Sequence, residues 1–187
     1  WQGTEDPYLY TVTVALADGP RTDSVTFRTG LRAFSADAVQ GFFLNGKRYP
    51  LRGVVVWRDR AGSGPVCGVR ELRRDVELIR EMGANAVRVA GGTHHPAFYD
   101  LCDEEGIVVL ADGPFAGVAT LDERGYFATP EFRRNAAQQF RELVHQRYNH
   151  PSVLFWGIFA EPKLLGDDPI PFIREMNGIV KLLDPVR

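Results

Sequence analysis

Cysteine is scarce, two in 187 residues, and Cys67 and Cys102 fit neither a metal spacing nor a disulfide framework. Charge of one sign is lacking too. Twenty-two Lys and Arg stand against 24 Asp and Glu, a formal net charge of −2. That balance gives no electrostatic reason to expect nucleic acid or an anionic membrane as partner. No apolar run approaches the roughly 20 residues of a membrane span. Gly62-Ser63-Gly64 lacks the Lys and Ser/Thr of a phosphate-cradling loop, and no cofactor or metal is expected. No leader peptide precedes the chain, but Trp1 is not a natural start, so cytoplasm, periplasm and secretion are not distinguished.

What is present is an ordinary globular balance, 44% hydrophobic and 25% charged, at a length that suits one domain or one and a fraction. The chain is organised around Asn149 to Glu161, NHPSVLFWGIFAE. Pro151 prevents a helix from running through His150. Val153 to Phe159 is apolar without alternation, the mark of a strand covered on both faces of a parallel sheet. Glu161 then falls just past the strand's C-terminal end, where barrels and open α/β sheets place catalytic groups. From position alone it could equally cap the junction.

Before that centre come β structure and then repeats. Tyr8–Leu16 and Ser24–Thr29 alternate around the turn Ala17-Asp-Gly-Pro20. Two or three strands bury no face by themselves, so residues 1–35 read as the tail of a sandwich whose other strands lie elsewhere. A second hairpin, Gly41–Leu44 and Lys47–Leu51, turns at Asn45-Gly46. From Leu51 the pattern becomes strand–helix: strands near 51–57, 85–90, 107–112 and 153–159, with helices over Val69–Met82, Pro96–Glu105, Pro130–Tyr148 and Pro169–Leu183. Thr129 is the expected N-cap of the third helix, and Gly106 follows the end of the second. Four successive β–α units predict parallel strands in sequential order, half of an eight-stranded barrel.

Pro7-Tyr-Leu-Tyr10, Gly30-Leu-Arg32, Gly41-Phe-Phe-Leu-Asn-Gly-Lys47, Leu51-Arg-Gly-Val54, Gly83-Ala-Asn-Ala-Val-Arg88, Phe98 to Gly106 (FYDLCDEEG) and Asn149-His-Pro-Ser152 resemble, in order along the whole chain, glycoside hydrolase family 2. That family holds β-galactosidases, β-glucuronidases and β-mannosidases. The resemblance implies an immunoglobulin-like sandwich ending near residue 35 and the first half of a TIM barrel over 36–187. It also implies retaining hydrolysis of β-linked sugars, with Glu161, five residues after Trp156, as general acid/base. The family's nucleophile, a Glu on the seventh strand, has no counterpart here, so the chain alone is expected to be inactive. Its sheet edges would need the rest of the barrel or self-association to cover them. Where the family usually has Asn before the acid/base, this chain has Ala160. The family's Asn and His after the first strand become Val55 and Trp57. Its His-Tyr-Pro after the second becomes Gly91-Gly92-Thr93, and its Asp-Glu after the third becomes Ala111-Asp112. A non-catalytic carbohydrate-binding or structural relative is therefore the alternative.

The candidate substrate-binding residues are Asp112, Trp57, Gly91 and His94. As a metal pair, His94 and His95 lack a third ligand. Asp59 could line a site or cap a loop. His145 reads as a solvated helix residue, His150 as a turn residue bonding backbone, and Trp156 as core. Glu161 is expected to face the bowl beside Asp112, Gly91-Gly92 and Trp57, with its carboxyl pushed above the ordinary range by desolvation.

Overall fold

A computed structural model describes residues 1–59, 62, 64, 67–115, 129–160 and 167–187. The first sheet is the antiparallel hairpin of β1 (Tyr10–Asp18) and β2 (Arg21–Thr29). Its register pairs Val14 with Val25 and Val12 with Phe27, and this apolar face is largely exposed at Val14, Leu16 and Val25. The hairpin is tied to the rest by an Arg28–Glu104 ion pair of 2.7 Å and by Thr29 Oγ1 donating to Asn149 O at 2.8 Å.

A second sheet joins β3 (Phe34–Asp37), β4 (Gly41–Leu44) and β5 (Lys47–Arg48) in antiparallel order. The sequence pattern shows the β4–β5 turn but not β3, which straddles residue 35 and is only four residues long. Asn45 holds it in place: its N–H donates to Ala33 O at 2.7 Å, and its Oδ1 accepts from Ala33 N–H at 2.8 Å.

The third sheet contains β6 (Gly53–Val56), β7 (Ala86–Val89), β8 (Val108–Asp112) and β9 (Val153–Gly157), all parallel and in sequential order. Helices α1 (Val69–Glu81), α2 (Pro96–Glu105), α3 (Pro130–Arg147) and α4 (Ile170–Leu183) follow the four strands in turn. Each begins and ends as its sequence requires. Thr129 Oγ1 accepts from Phe132 N–H at 3.2 Å to cap α3, and Gly106 takes φ 73° after α2, a conformation that favours glycine. Among the described residues, no helix is long and apolar enough to cross a membrane.

One core lies between the outer face of the sheet and the first two helices. Leu72, Val76 and Ile79 of α1 and Phe98, Tyr99 and Cys102 of α2 pack on Val87, Val89, Val109 and Val153. A second joins α3 to α4 through Phe140, Leu143, Phe172 and Met176. A third closes the N-terminal ends of the strands: Trp1, Phe42, Leu44 and Tyr49 pack against Ala86, Val108 and Leu154. Burying aromatic and aliphatic side chains on this scale, about 1.5–3 kcal/mol each, drives the assembly. The pairing of β8 with β9 carries a bulge, because Val109 faces Val153 whereas Leu110 faces Phe155, leaving Leu154 as the extra residue.

Candidate active site

The inner face of the sheet carries a row in which Val55, Arg88, Leu110 and Phe155 lie side by side. One step nearer the C-terminal ends, Asp112 faces Gly157. Asp112 is 2% exposed, and its Oδ2 accepts from Arg88 Nε at 2.8 Å and pairs with Nη2 at 2.8 Å. Its other oxygen, Oδ1, is buried with no hydrogen-bond partner. A Cβ at Gly157 would collide with that oxygen, so only glycine leaves the carboxylate its place over β9. Burial pushes the Asp112 carboxyl above its ordinary value, and the nearby Arg88 guanidinium opposes this only in part.

The loops after β6 and β7 meet around an indole. Trp57, 57% exposed, lies against Gly91, where an added Cβ would stand 3.4 Å from the ring's Cζ3. Gly91 and Gly92 have φ of 74° and 112°, backbone that side-chain-bearing residues rarely adopt. Arg58 Nη2 donates to Gly91 O at 3.1 Å. Beyond them His94 is buried, stacks on Phe98 with ring centroids 4.5 Å apart, and accepts at Nδ1 from His95 N–H at 2.9 Å. Desolvation lowers its pKa from the ordinary 6.5, which keeps the imidazole neutral.

At the end of β9 two backbone bonds carry the pairing past the strand. Gly113 N–H donates to Gly157 O at 2.7 Å, and Ala160 N–H to Phe115 O at 2.9 Å. The backbone is thus fixed as far as Ala160, which is buried. Glu161 itself lies outside the described residues, as do residues 116–128 of the loop after β8.

Of the expected site residues, the structure brings Trp57 and Gly91 into contact and places Asp112 on the same end of the sheet, with its carboxylate committed to Arg88. His94 lines the groove beside Trp57, but its ring packs inward on Phe98. Arg88 and Gly157 were not among the expected site residues. The signal for Arg88 was a lone charge in the apolar strand Ala86-Val87-Arg88-Val89. The signal for Gly157 was a glycine inside an apolar run. Trp156 packs in both helical cores and donates from Nε1 to Asp184 at 2.9 Å. His145 is exposed. His150 bonds not backbone but the Asp103 carboxylate, at 2.6 Å, and Asp103 also accepts from Ser152 N–H at 3.0 Å. Asp103 and His150, with Asp100, form the only three-residue grouping of metal-capable side chains among the described residues. It sits at the opposite end of β9 from the mouth.

Comparison with known proteins supplies the remaining constraint. The family described as glycosyl hydrolases family 2, TIM barrel domain, matches residues 38–187. A β-glucuronidase of Bacteroides fragilis is 45% identical over all of this chain and 27% of its own length. A β-galactosidase of Bacteroides ovatus is 31% identical over 84% of this chain and 18% of its own. The crystal structure of an FMN-binding β-glucuronidase from Faecalibacterium prausnitzii superposes with a TM-score of 0.91 at 33% identity, covering 99% of this chain and 28% of that one. The chain thus spans about a quarter of the length of such relatives.

Proposed function

Because this chain belongs to glycoside hydrolase family 2, we propose that it is the part of a retaining β-glycosidase that carries the general acid/base, Glu161, on the first half of a TIM barrel. The observation that carries this reading is the fixed exit of β9. Backbone bonds hold residues 113, 157 and 160 in register at the C-terminal end of the sheet, one residue short of the carboxylate that the Trp156-to-Glu161 spacing singles out. Retention needs two carboxyl groups about 5–5.5 Å apart, one protonating the leaving oxygen and one attacking the anomeric carbon. The second carboxylate would come from the remaining half of the barrel, which would also cover the outer strands β6 and β9. The chain by itself would not turn over. Residues 1–35 would be the last strands of an immunoglobulin-like sandwich, in keeping with the exposed Val14, Leu16 and Val25 face of β1–β2.

The test is Glu161→Gln in the whole protein, assayed on aryl β-glycosides. Hydrolysis of a poor leaving group should fall about 10²–10⁴-fold, and much less for an activated leaving group that needs no proton. Equal rates for wild type and variant would refute the assignment. A second reading, a carbohydrate-binding relative without turnover, is favoured by the apolar residues Val55, Trp57 and Ala160 at strand ends. Substrate binding without hydrolysis by the whole wild-type protein would establish it.

A further inference from the structure

We propose that the exposed face of Trp57, seated on Gly91, is a subsite for a planar aromatic ring, such as the aglycone of an aryl β-glycoside. The proposal rests on the carbohydrate reading above only for the sugar end of such a ligand. Three observations converge on it. The indole is more than half exposed, yet its position is fixed, because its edge lies against the Gly91 backbone. Gly91 and Gly92 have no side chains to cover it. Their positive φ values make any larger residue there strained.

The chemistry around the ring is the second point. A sugar held on an aromatic platform also needs donors and acceptors for its hydroxyls. Here Arg58 is spent on Gly91 O, His94 Nδ1 on His95 N–H, and Arg88 on Asp112. Third, Trp57 opens onto a groove of about 550 Å³ whose wall is largely aliphatic: Val54, Val56, Leu78, Ile79 and Met82. A flat apolar ring gains from both surfaces. A polyol must leave water without replacement partners.

The experiment is calorimetric titration of the whole protein with phenyl β-glycoside, methyl β-glycoside and free phenol, using wild type, Trp57→Phe and Trp57→Leu. Ring stacking of this kind corresponds to about tenfold in affinity. The phenyl glycoside should bind about tenfold more tightly than the methyl glycoside. Trp57→Phe should keep that preference and Trp57→Leu should lose it, with unchanged melting temperatures. Phenol binding that depends on Trp57 would show that a free aryl compound fills the subsite as well; phenol failing to bind would confine it to the aglycone. Equal affinity for phenyl and methyl glycosides, or a preference that survives Trp57→Leu, overturns the proposal. Glu161→Gln should leave the preference intact, so this result and the hydrolysis result fail separately.

Discussion

At the N-terminal ends of β6–β9, buried charges meet buried partners. Arg187 pairs with Asp184, donates to Val153 O at 3.2 Å and lies over Trp156 at 5.2 Å. Arg32 donates to Pro151 O and Val153 O at 3.0 and 3.1 Å. Burial first, and then the neighbouring Arg187, lower its pKa to about 10. Asp103 holds both His150 and Ser152. At the C-terminal ends of the same strands, the buried Asp112 pairs with an Arg88 that is 40% exposed and keeps one oxygen without a partner. An indole stands in the open above two glycines. One end is organised to fix the strands, and the other leaves room above them. Conformational stability and ligand chemistry are thus separated along a few residues of each strand.

The separation can be broken by substitution. Asp184→Ala should cost most, about 3–5 kcal/mol, because it strands Arg187 in the core and removes the acceptor of Trp156 Nε1. Denaturant unfolding measures it, and a loss under 1 kcal/mol would contradict the assigned role. Asp103→Ala should follow at about 1–3 kcal/mol, since the buried Ser152 N–H and the His150 ring lose their acceptor. At the mouth, Gly157→Ala should cost about 1–3 kcal/mol by driving a methyl into the Asp112 carboxylate. In an Asp112→Ala background the same methyl should cost less, and simple additivity of the two would show that the clash is not with Asp112.

The pH dependence sharpens the comparison with a smaller effect. Asp112 is raised from 3.8, so just above that pH the native state keeps a proton that the unfolded chain has released. Its contribution to stability therefore falls as pH rises through the raised value. His94 is lowered from 6.5, so just below that pH the unfolded chain binds a proton that the native state does not. Its contribution is lost as pH falls. Melting curves of Asp112→Asn against pH should lose the first dependence and keep the second. The smallest effect is Trp57→Leu, within about 0.5 kcal/mol on stability because the side chain is exposed.

The sequence foretold the repeat better than the mouth. Strands and helices announced themselves through local signals: the Leu72, Val76 and Ile79 stripe, the Thr129 cap, the glycine at 106. Each depends on neighbours within one turn. β3 was missed because four residues carry too little alternation and its partner lies across a turn. Trp57, Gly91 and Asp112 were legible as loop-end positions. Their meeting was not, because the Trp57–Gly91 contact and the Arg88–Asp112 pair arise from cross-strand register, which no local pattern encodes. His94 was drawn toward the substrate by its place in the loop, whereas Phe98, four residues on and one helical turn into α2, supplies the ring it stacks on.

The extra residue at Leu154 acts as a change of phase. Before it, Val153 faces the helices. After it, Phe155 faces inward, Trp156 outward and Gly157 inward beneath Asp112. Strict alternation from Val153 would have sent Phe155 to the helices and turned the indole of Trp156 toward the carboxylate. A single codon lost from this strand would therefore exchange the two faces of everything downstream while leaving its apolar composition almost unaltered. Length tolerance in β9 is set by parity rather than hydrophobicity, so insertions or deletions there should survive selection only in pairs.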